Sequence, residues 1–267
     1  MTRSNAPVTE PNGPPLIGAI VPTYGHVRVL PQIVETLVAN GLPVVIVDDG
    51  NPPELAEQIA HLGHDTNRVT VIRRPQNGGK GAAMKTGFKA AGDLGWSHAL
   101  QVDADGQHDL TVIANALALC RDHPEAVICG VPVYDASIPK GRKIGREITH
   151  FWVRIETLSR EISDSMCGFR IYPLADALLV IQREYIGDRM DFDTDIIVHL
   201  NWRGLRCHEL PVNVIYPEEN TSNFRMLLDN VRISLMHTRL VMQVPVRVPI
   251  RILKRRAAKQ KAPTPGQ

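Results

Sequence analysis

The 267-residue chain is 43% hydrophobic and 22% charged, with a net charge of +2. This is an ordinary globular composition with room for one large domain or two small ones. Its four cysteines, Cys120, Cys129, Cys167 and Cys207, form no CxxC pair, which argues against a zinc knuckle or a disulfide framework and fits a reducing compartment. No apolar run is long enough to span a bilayer.

Residues 1–15 are polar and proline-rich, without the apolar core of a signal peptide, and are expected to be disordered. From residue 16, short β-branched runs alternate with helical patterns. "LIGAIVP" (16–22) reads as a strand, and residues 27–40 read as a helix closed at Gly41. "PVVIVDDG" (43–50) is a second strand, "PPELAEQIAHLG" a helix and "RVTVIRR" a strand. A glycine-opened helix from "GKGAAMKTG" follows, then "HALQVDAD" as the fourth strand, "DLTVIANALALCRDH" as a helix and "AVICGVP" as a fifth strand. Four β-α repeats and a closing strand imply an α/β fold, a Rossmann-like, mostly parallel sheet with helices on both faces.

Beyond Pro132 the pattern loosens. Residues 142–161 read as an amphipathic helix whose stripe of Ile144, Ile148, Phe151, Ile155 and Leu158 is expected to be buried in the domain. "GFRIYP" reads as a strand, residues 174–182 as a helix, "DTDIIVHLNWRG" as a helix ended by Gly204, "LRCHELPVNVIY" as a strand and 224–241 as a basic amphipathic helix. The expected organisation is a domain over 16–241 and a basic tail over 242–267. Residues 1–229 hold 21 Lys/Arg against 28 acids, a net of −7, whereas residues 230–267 carry nine Lys/Arg and no acid. Basic residues interleaved with Leu, Val and Ile over 224–256 fit an anionic membrane surface. Without an aromatic stacking platform, nucleic acid is not expected as a partner. Pro245 and Pro249 argue against one straight helix in that region.

In an open α/β sheet, ligands bind beyond the carboxyl ends of the strands. Here those ends carry Pro22-Thr23-Tyr24, Asp48-Asp49-Gly50 and Asp103-Ala104-Asp105. Asp103 and Asp105, read as positions i and i+2 of a strand, project to one side. Crowded carboxylates are stabilised by a divalent cation, and Gln107 offers a third oxygen, so Mg²⁺ or Mn²⁺ suits the set. The alternative is that Asp105-Gly106 is only a turn; Asp109 is expected to cap the next helix. The glycines around Lys80 open a helix and favour phosphate, although neither GxxxxGK[ST] nor GxGxxG is present.

"VPTYGHVRVLPQIVETL", "VVIVDDGN", "NGGKGAAMKTGFKAA", "LQVDADGQHD", "SDSMCGFRIYP" and "DTDIIVHLNWRGLRCHELPV" occur in the order found in family 2 glycosyltransferases, over roughly residues 16–216. The chain resembles the branch containing dolichyl-phosphate mannose synthase and bacterial polyprenyl-phosphate glycosyltransferases. The resemblance implies a GT-A fold, a UDP- or GDP-linked sugar donor, Mg²⁺ or Mn²⁺, and inversion at the anomeric carbon. It assigns Pro22, Tyr24, Asp48, Asp49, Gly79, Lys80 and Asp103 to the donor, and Asp103, Asp105 and Gln107 to the metal. Asp164 and Asp195 take the acidic positions near the acceptor and join Asp105 as catalytic candidates. Gly25 replaces the usual asparagine of the first motif, Asp195 a common glutamate, and Gly145 a common serine.

Departure of a nucleoside diphosphate needs its charge neutralised, by the metal with Lys80 or Arg225. A lipid-phosphate acceptor is already anionic and needs no general base; Arg142, Lys143, Arg146 and Arg170 are expected on its side. A hydroxyl acceptor needs a carboxylate, Asp195 or Asp164, to take its proton. Asp195 reads equally well as a first-turn acid complementing the helix dipole. The expected protein is cytoplasmic and peripheral on the inner face of the membrane. Its rivals are a Mg²⁺-dependent sugar nucleotidyltransferase and a non-catalytic membrane scaffold.

Overall fold

A computed structural model describes residues 14–63, 67–134, 140–214 and 225–261. The N-terminal stretch expected to be disordered falls almost wholly outside them. The elements are β1 (Ile17–Thr23), α1 (Leu30–Ala39), β2 (Val44–Asp48), α2 (Pro53–His61), β3 (Val69–Arg73), α3 (Lys80–Asp93) and β4 (His98–Gln101). A 3₁₀ turn (Leu110–Val112) then leads into α4 (Ile113–Asp122) and β5 (Val127–Tyr134). They are followed by α5 (Lys140–Thr157), β6 (Arg170–Pro173), α6 (Leu174–Arg183), α7 (Phe192–Arg203), β7 (Cys207–Val214) and α8 (Met226–Lys261).

The seven strands run in the order β3-β2-β1-β4-β6-β5-β7. All seven residues of β1 are buried, as a central parallel strand covered on both faces requires. Ile20, Val45 and Val47 pack on one side with Met84 and Phe88 of α3 and Ile196 and Ile197 of α7. Ala19, Val21 and Ile46 pack on the other with Leu30 and Leu37 of α1, Ile59 of α2 and Ile113 of α4. The α/β sandwich is as expected, but the strand neighbours are not. β6 enters antiparallel between β4 and β5, so the fifth strand of the alternating pattern never touches the fourth.

Two helices depart from their sequence reading. Most of the expected apolar stripe faces outward: Ile144, Ile148 and Phe151 of α5 and Leu158 just beyond it are 56–64% exposed, while Ile155 is half-buried. The buried side of α5 carries Thr149, His150, Val153, Glu156 and Thr157, because that side meets polar groups. The Glu156 carbonyl accepts the Trp202 indole N–H at 2.9 Å, and its carboxylate lies 2.6 Å from His237 Nδ1. Helix α8 continues through Pro245 and Pro249, where a break was expected, so residue 242 falls within the helix. Val248 and Arg251 are buried, and Arg251 donates to Asn201 Oδ1 at 2.5 Å. Arg247 pairs with Glu184, and Arg255 with Glu161 and the carbonyls of Gly204 and Leu205.

Candidate active site

Beyond the carboxyl ends of β1, β2 and β4, short turns are held by the acids themselves. Asp48 is buried, and its Oδ1 accepts from the backbone and the side-chain amide of Asn51 at 2.8 and 2.7 Å. Asn51 in turn bonds the Thr23 carbonyl and the Gly25 amide. Asp49 is also buried and accepts from Arg74 and from the Gly78 and Gly79 amides at 2.6, 3.1 and 2.7 Å. Both acids therefore set the shape of the rim on which Tyr24 is exposed and Pro22 buried. Gly79 has φ of +100°, and a Cβ there would lie 2.4 Å from Arg189 Cδ. Only glycine fits this backbone at the head of α3.

Strand β4 ends at Gln101, so Asp103 and Asp105 lie in the turn after it, and strand alternation does not set their directions. Asp105 Oδ1 accepts the Gln107 amide at 3.0 Å. Burial and the neighbouring Asp103 charge push the Asp105 carboxyl above its ordinary range. Asp109 caps the following 3₁₀ turn through Thr111, as expected. Lys80 Nζ lies 2.8 Å from Asp103 Oδ1 and 2.7 Å from Asp193 Oδ2. Burial opposes the Lys80 charge, but the two carboxylates outweigh it and raise its pKa; burial likewise opposes the Asp103 charge, and Lys80 outweighs it and lowers that pKa. Against Asp103 stands Gly168, where a Cβ would come within 2.1 Å of Oδ2.

Asp193 and Gly168 were not singled out as site residues from sequence. Asp193 is fixed by Gln101 Nε2 at 2.8 Å, and Gln101 Oε1 accepts the Tyr172 hydroxyl at 3.0 Å. Arg170, expected beside the acceptor, is fully buried under this chain. It donates to Tyr172 Oη and to the carbonyls of Asp193 and Ser165, joining β6 to α7. Asp195 is fully buried as well. It accepts from Gly187 N–H and Arg239 and lies 3.2 Å from His199 Nδ1.

Asp164 accepts the Met166 and Cys167 amides on Oδ1, each at 2.8 Å, and meets Arg146 and His150 on Oδ2. Burial alone would raise its pKa. The His150 hydrogen bond and the Arg146 charge outweigh that and hold it well below the usual carboxylate range. Arg146 also lies over the Tyr134 ring at 5.4 Å, and its Nε has no hydrogen-bond partner among the described residues. Lys143 is exposed on the same helix, and Arg225 is exposed at the head of α8. The side chain of Arg142 lies outside the described residues.

Because the folded Asp164 pKa lies below the unfolded value of about 3.9, its stabilisation is complete above that pH and is lost as pH falls toward the folded value. Asp164→Asn is expected to cost about 3–5 kcal/mol at pH 7 by leaving Arg146 unpaired. It should also flatten the decline in Tm between pH 5 and 3. Parallel acid limbs for the two proteins in a Tm-against-pH series would contradict this.

The donor set of Asp103, Asp105 and Gln107 is all oxygen and fits a hard divalent cation that keeps waters and shares itself with phosphate. The acid pair beside a buried lysine, with the Asp105 carboxyl raised by burial and by the Asp103 charge, is a site that gains from an added positive charge.

A family model described as Glycosyl transferase family 2 matches residues 19–177. The chain is 24% identical over 219 residues to the UDP-N-acetylglucosamine–dolichyl-phosphate N-acetylglucosaminyltransferase of Methanococcus voltae, covering 76% of this chain and 87% of that one. It is 26% identical over 206 residues to the undecaprenyl-phosphate mannosyltransferase of Micrococcus luteus, covering 74% and 83%. In fold it is similar to a Pyrobaculum calidifontis mannosyltransferase in complex with GDP-Man and Mn²⁺, with TM-score 0.55, 15% identity and coverage of 96% and 78%. It is similar too to the glucosyl-3-phosphoglycerate synthase of Mycobacterium tuberculosis in complex with Mn²⁺ and UDP-glucose, with TM-score 0.62, 10% identity and coverage of 88% and 79%.

Proposed function

From the premise that the chain belongs to glycosyl transferase family 2, we propose that it moves a hexose from a UDP- or GDP-linked donor to a lipid phosphate, with inversion, at the inner membrane surface. One observation carries the acceptor class. Asp164 and Asp195, the carboxylates available to a hydroxyl acceptor, are both buried and engaged by arginine. The pKa of each is held down: burial opposes the charge, and His150 and Arg146 at Asp164, or His199 and Arg239 at Asp195, outweigh it. Such carboxylates are poor proton acceptors. A phosphate oxygen attacks as an anion and asks for no base. The curated relatives named for dolichyl-phosphate and undecaprenyl-phosphate transfer support the same class.

In this reading Asp103, Asp105 and Gln107 hold Mg²⁺ or Mn²⁺, which when bound neutralises charge on the leaving diphosphate. The Lys80 ammonium adds positive charge beside it, at the head of α3, where the helix dipole also favours phosphate. Arg146 brings guanidinium donors toward the acceptor phosphate while Asp164 fixes its orientation.

The membrane contact is assigned to exposed apolar side chains. Ile144, Ile148 and Phe151 of α5 line one open surface with Lys143 and Glu147, and Met226, Leu227, Val231 and Leu235 line the first turns of α8. These two helices pack together, and Arg146 lies on the inward side of the first of them, paired with Asp164, so a lipid phosphate reaches it around the edge of α5 and not across the exposed stripe. No helix of the described residues is long and apolar enough to cross a membrane. Arg247, Arg251 and Arg255 are engaged within the fold, which moves the proposed contact away from the basic end of the chain.

The test pairs a panel of labelled nucleotide sugars with polyprenyl phosphate and, separately, with polyprenol. Transfer to the phosphate and not to the alcohol is expected; the reverse preference sinks the reading. Phe151→Glu with Ile148→Glu should weaken vesicle binding on the order of 100-fold or more, since about 1.5–3 kcal/mol attends burial of each such side chain. Undiminished sedimentation would remove α5 from the contact.

A further inference from the structure

Resting on the glycosyltransferase reading, we propose that Lys80 is an internal counter-ion that occupies Asp103 until a divalent cation is bound there, and that Asp193 is the positioning residue that then retains it. The ammonium sits between two carboxylates, 2.8 Å from Asp103 and 2.7 Å from Asp193. The lysine and Asp193 side chains are only 15% and 7% exposed, so neither partner is replaced cheaply by water. An ammonium and a divalent cation repel each other, so each weakens the other's hold on Asp103. Gly168 leaves Asp103 just enough space, since a Cβ there would lie 2.1 Å from its Oδ2.

The two partners of Lys80 are held differently. Asp103 and Asp105 lie in a turn whose oxygens suit the cation. Asp193 stands in the first turn of α7, locked by Gln101, which is itself held by Tyr172. Released from Asp103, the ammonium keeps Asp193 as its anchor and remains beside the phosphate-facing head of α3. The exchange adds charge without losing any: the site holds the ammonium alone against its carboxylates before the cation arrives, and the lysine is kept close for the diphosphate afterwards. Competition of two cations for one carboxylate is a negative linkage, and removing one must tighten the other.

The experiment measures Mn²⁺ binding without nucleotide sugar, by electron paramagnetic resonance of free Mn²⁺, on the full chain. Lys80→Met is expected to bind Mn²⁺ about tenfold more tightly than the parent. Lys80→Gln, which keeps hydrogen bonding and drops the charge, should show the same gain. Asp193→Asn should bind Mn²⁺ more weakly than the parent, because the ammonium settles on Asp103 alone. Lys80→Met/Asp193→Asn should recover the tight binding of Lys80→Met. Thermal unfolding identifies any variant that fails to fold, and either lysine variant suffices for the comparison. Equal or weaker Mn²⁺ binding in the lysine variants overturns the counter-ion role, including the case in which neither parent nor variant takes up Mn²⁺. Sugar transfer by the parent is scored separately. Transfer without the Mn²⁺ gain leaves the enzyme reading intact and removes this one; the gain without transfer does the opposite.

Discussion

Replacing Asp103 or Asp105 by alanine is expected to lower sugar transfer by on the order of 100- to 1000-fold or more, the scale on which a single preorganised electrostatic contact to a developing charge acts. Each change removes one of the two carboxylates that would hold the divalent cation. The fold should survive, since both lie in a turn and are only partly buried. Asp103→Ala frees the Lys80 ammonium to rest on Asp193 alone, and it removes the like charge that helps raise the Asp105 carboxyl. Gly168→Ala should give a loss of the same kind without touching a carboxylate, because its methyl would lie 2.1 Å from Asp103 Oδ2. Steady-state kcat/KM for the three variants and for the parent in chelator decides the matter. Full activity in either aspartate variant, or indifference to chelator, ends the metal role.

Removing residues 243–267 is expected to destabilise the domain by on the order of 5 kcal/mol. Buried Val248 contributes about 1.5–3 kcal/mol, and hydrogen bonds to charged groups about 1.5–3 kcal/mol each. Arg251 and Arg255 make such bonds to Asn201, Glu161 and the carbonyls beyond α7. Arg247 adds less, because its pair with Glu184 is about one-third exposed. At roughly 2–4 °C per kcal/mol for a domain of this size, Tm should fall by about 10–20 °C. Arg251→Met isolates one anchor, leaving the buried Asn201 oxygen unpaired, and should account for about 1–3 kcal/mol of that loss. An unchanged Tm after truncation would mean that the end of α8 holds nothing.

The sequence by itself determined the sheet and its binding edge. Fully buried strands read as unbroken apolar runs in β1 and β2, and glycine punctuates α3 and α7 because Gly79 and Gly204 take positive φ. The acidic turns at Asp48-Asp49 and Asp103-Ala104-Asp105 lie where those runs end, so the residues proposed for cation and donor stand out in the sequence as a group. Only the tertiary structure decided which acid meets which partner. Asp193 and Asp195 stand two residues apart on a helix whose residues from Phe192 to Trp202 are all buried. No polar face distinguishes them, and only the packing turns one toward Lys80 and the other toward Arg239. Insertion of β6 between β4 and β5 carries Arg170 into the core, a placement that local periodicity does not encode. Likewise α5 buries His150 and Glu156 and exposes its apolar stripe, and α8 carries its arginines back onto the domain. Periodicity shows that a helix has two faces; which of them is buried depends on the partners that other parts of the chain bring to it.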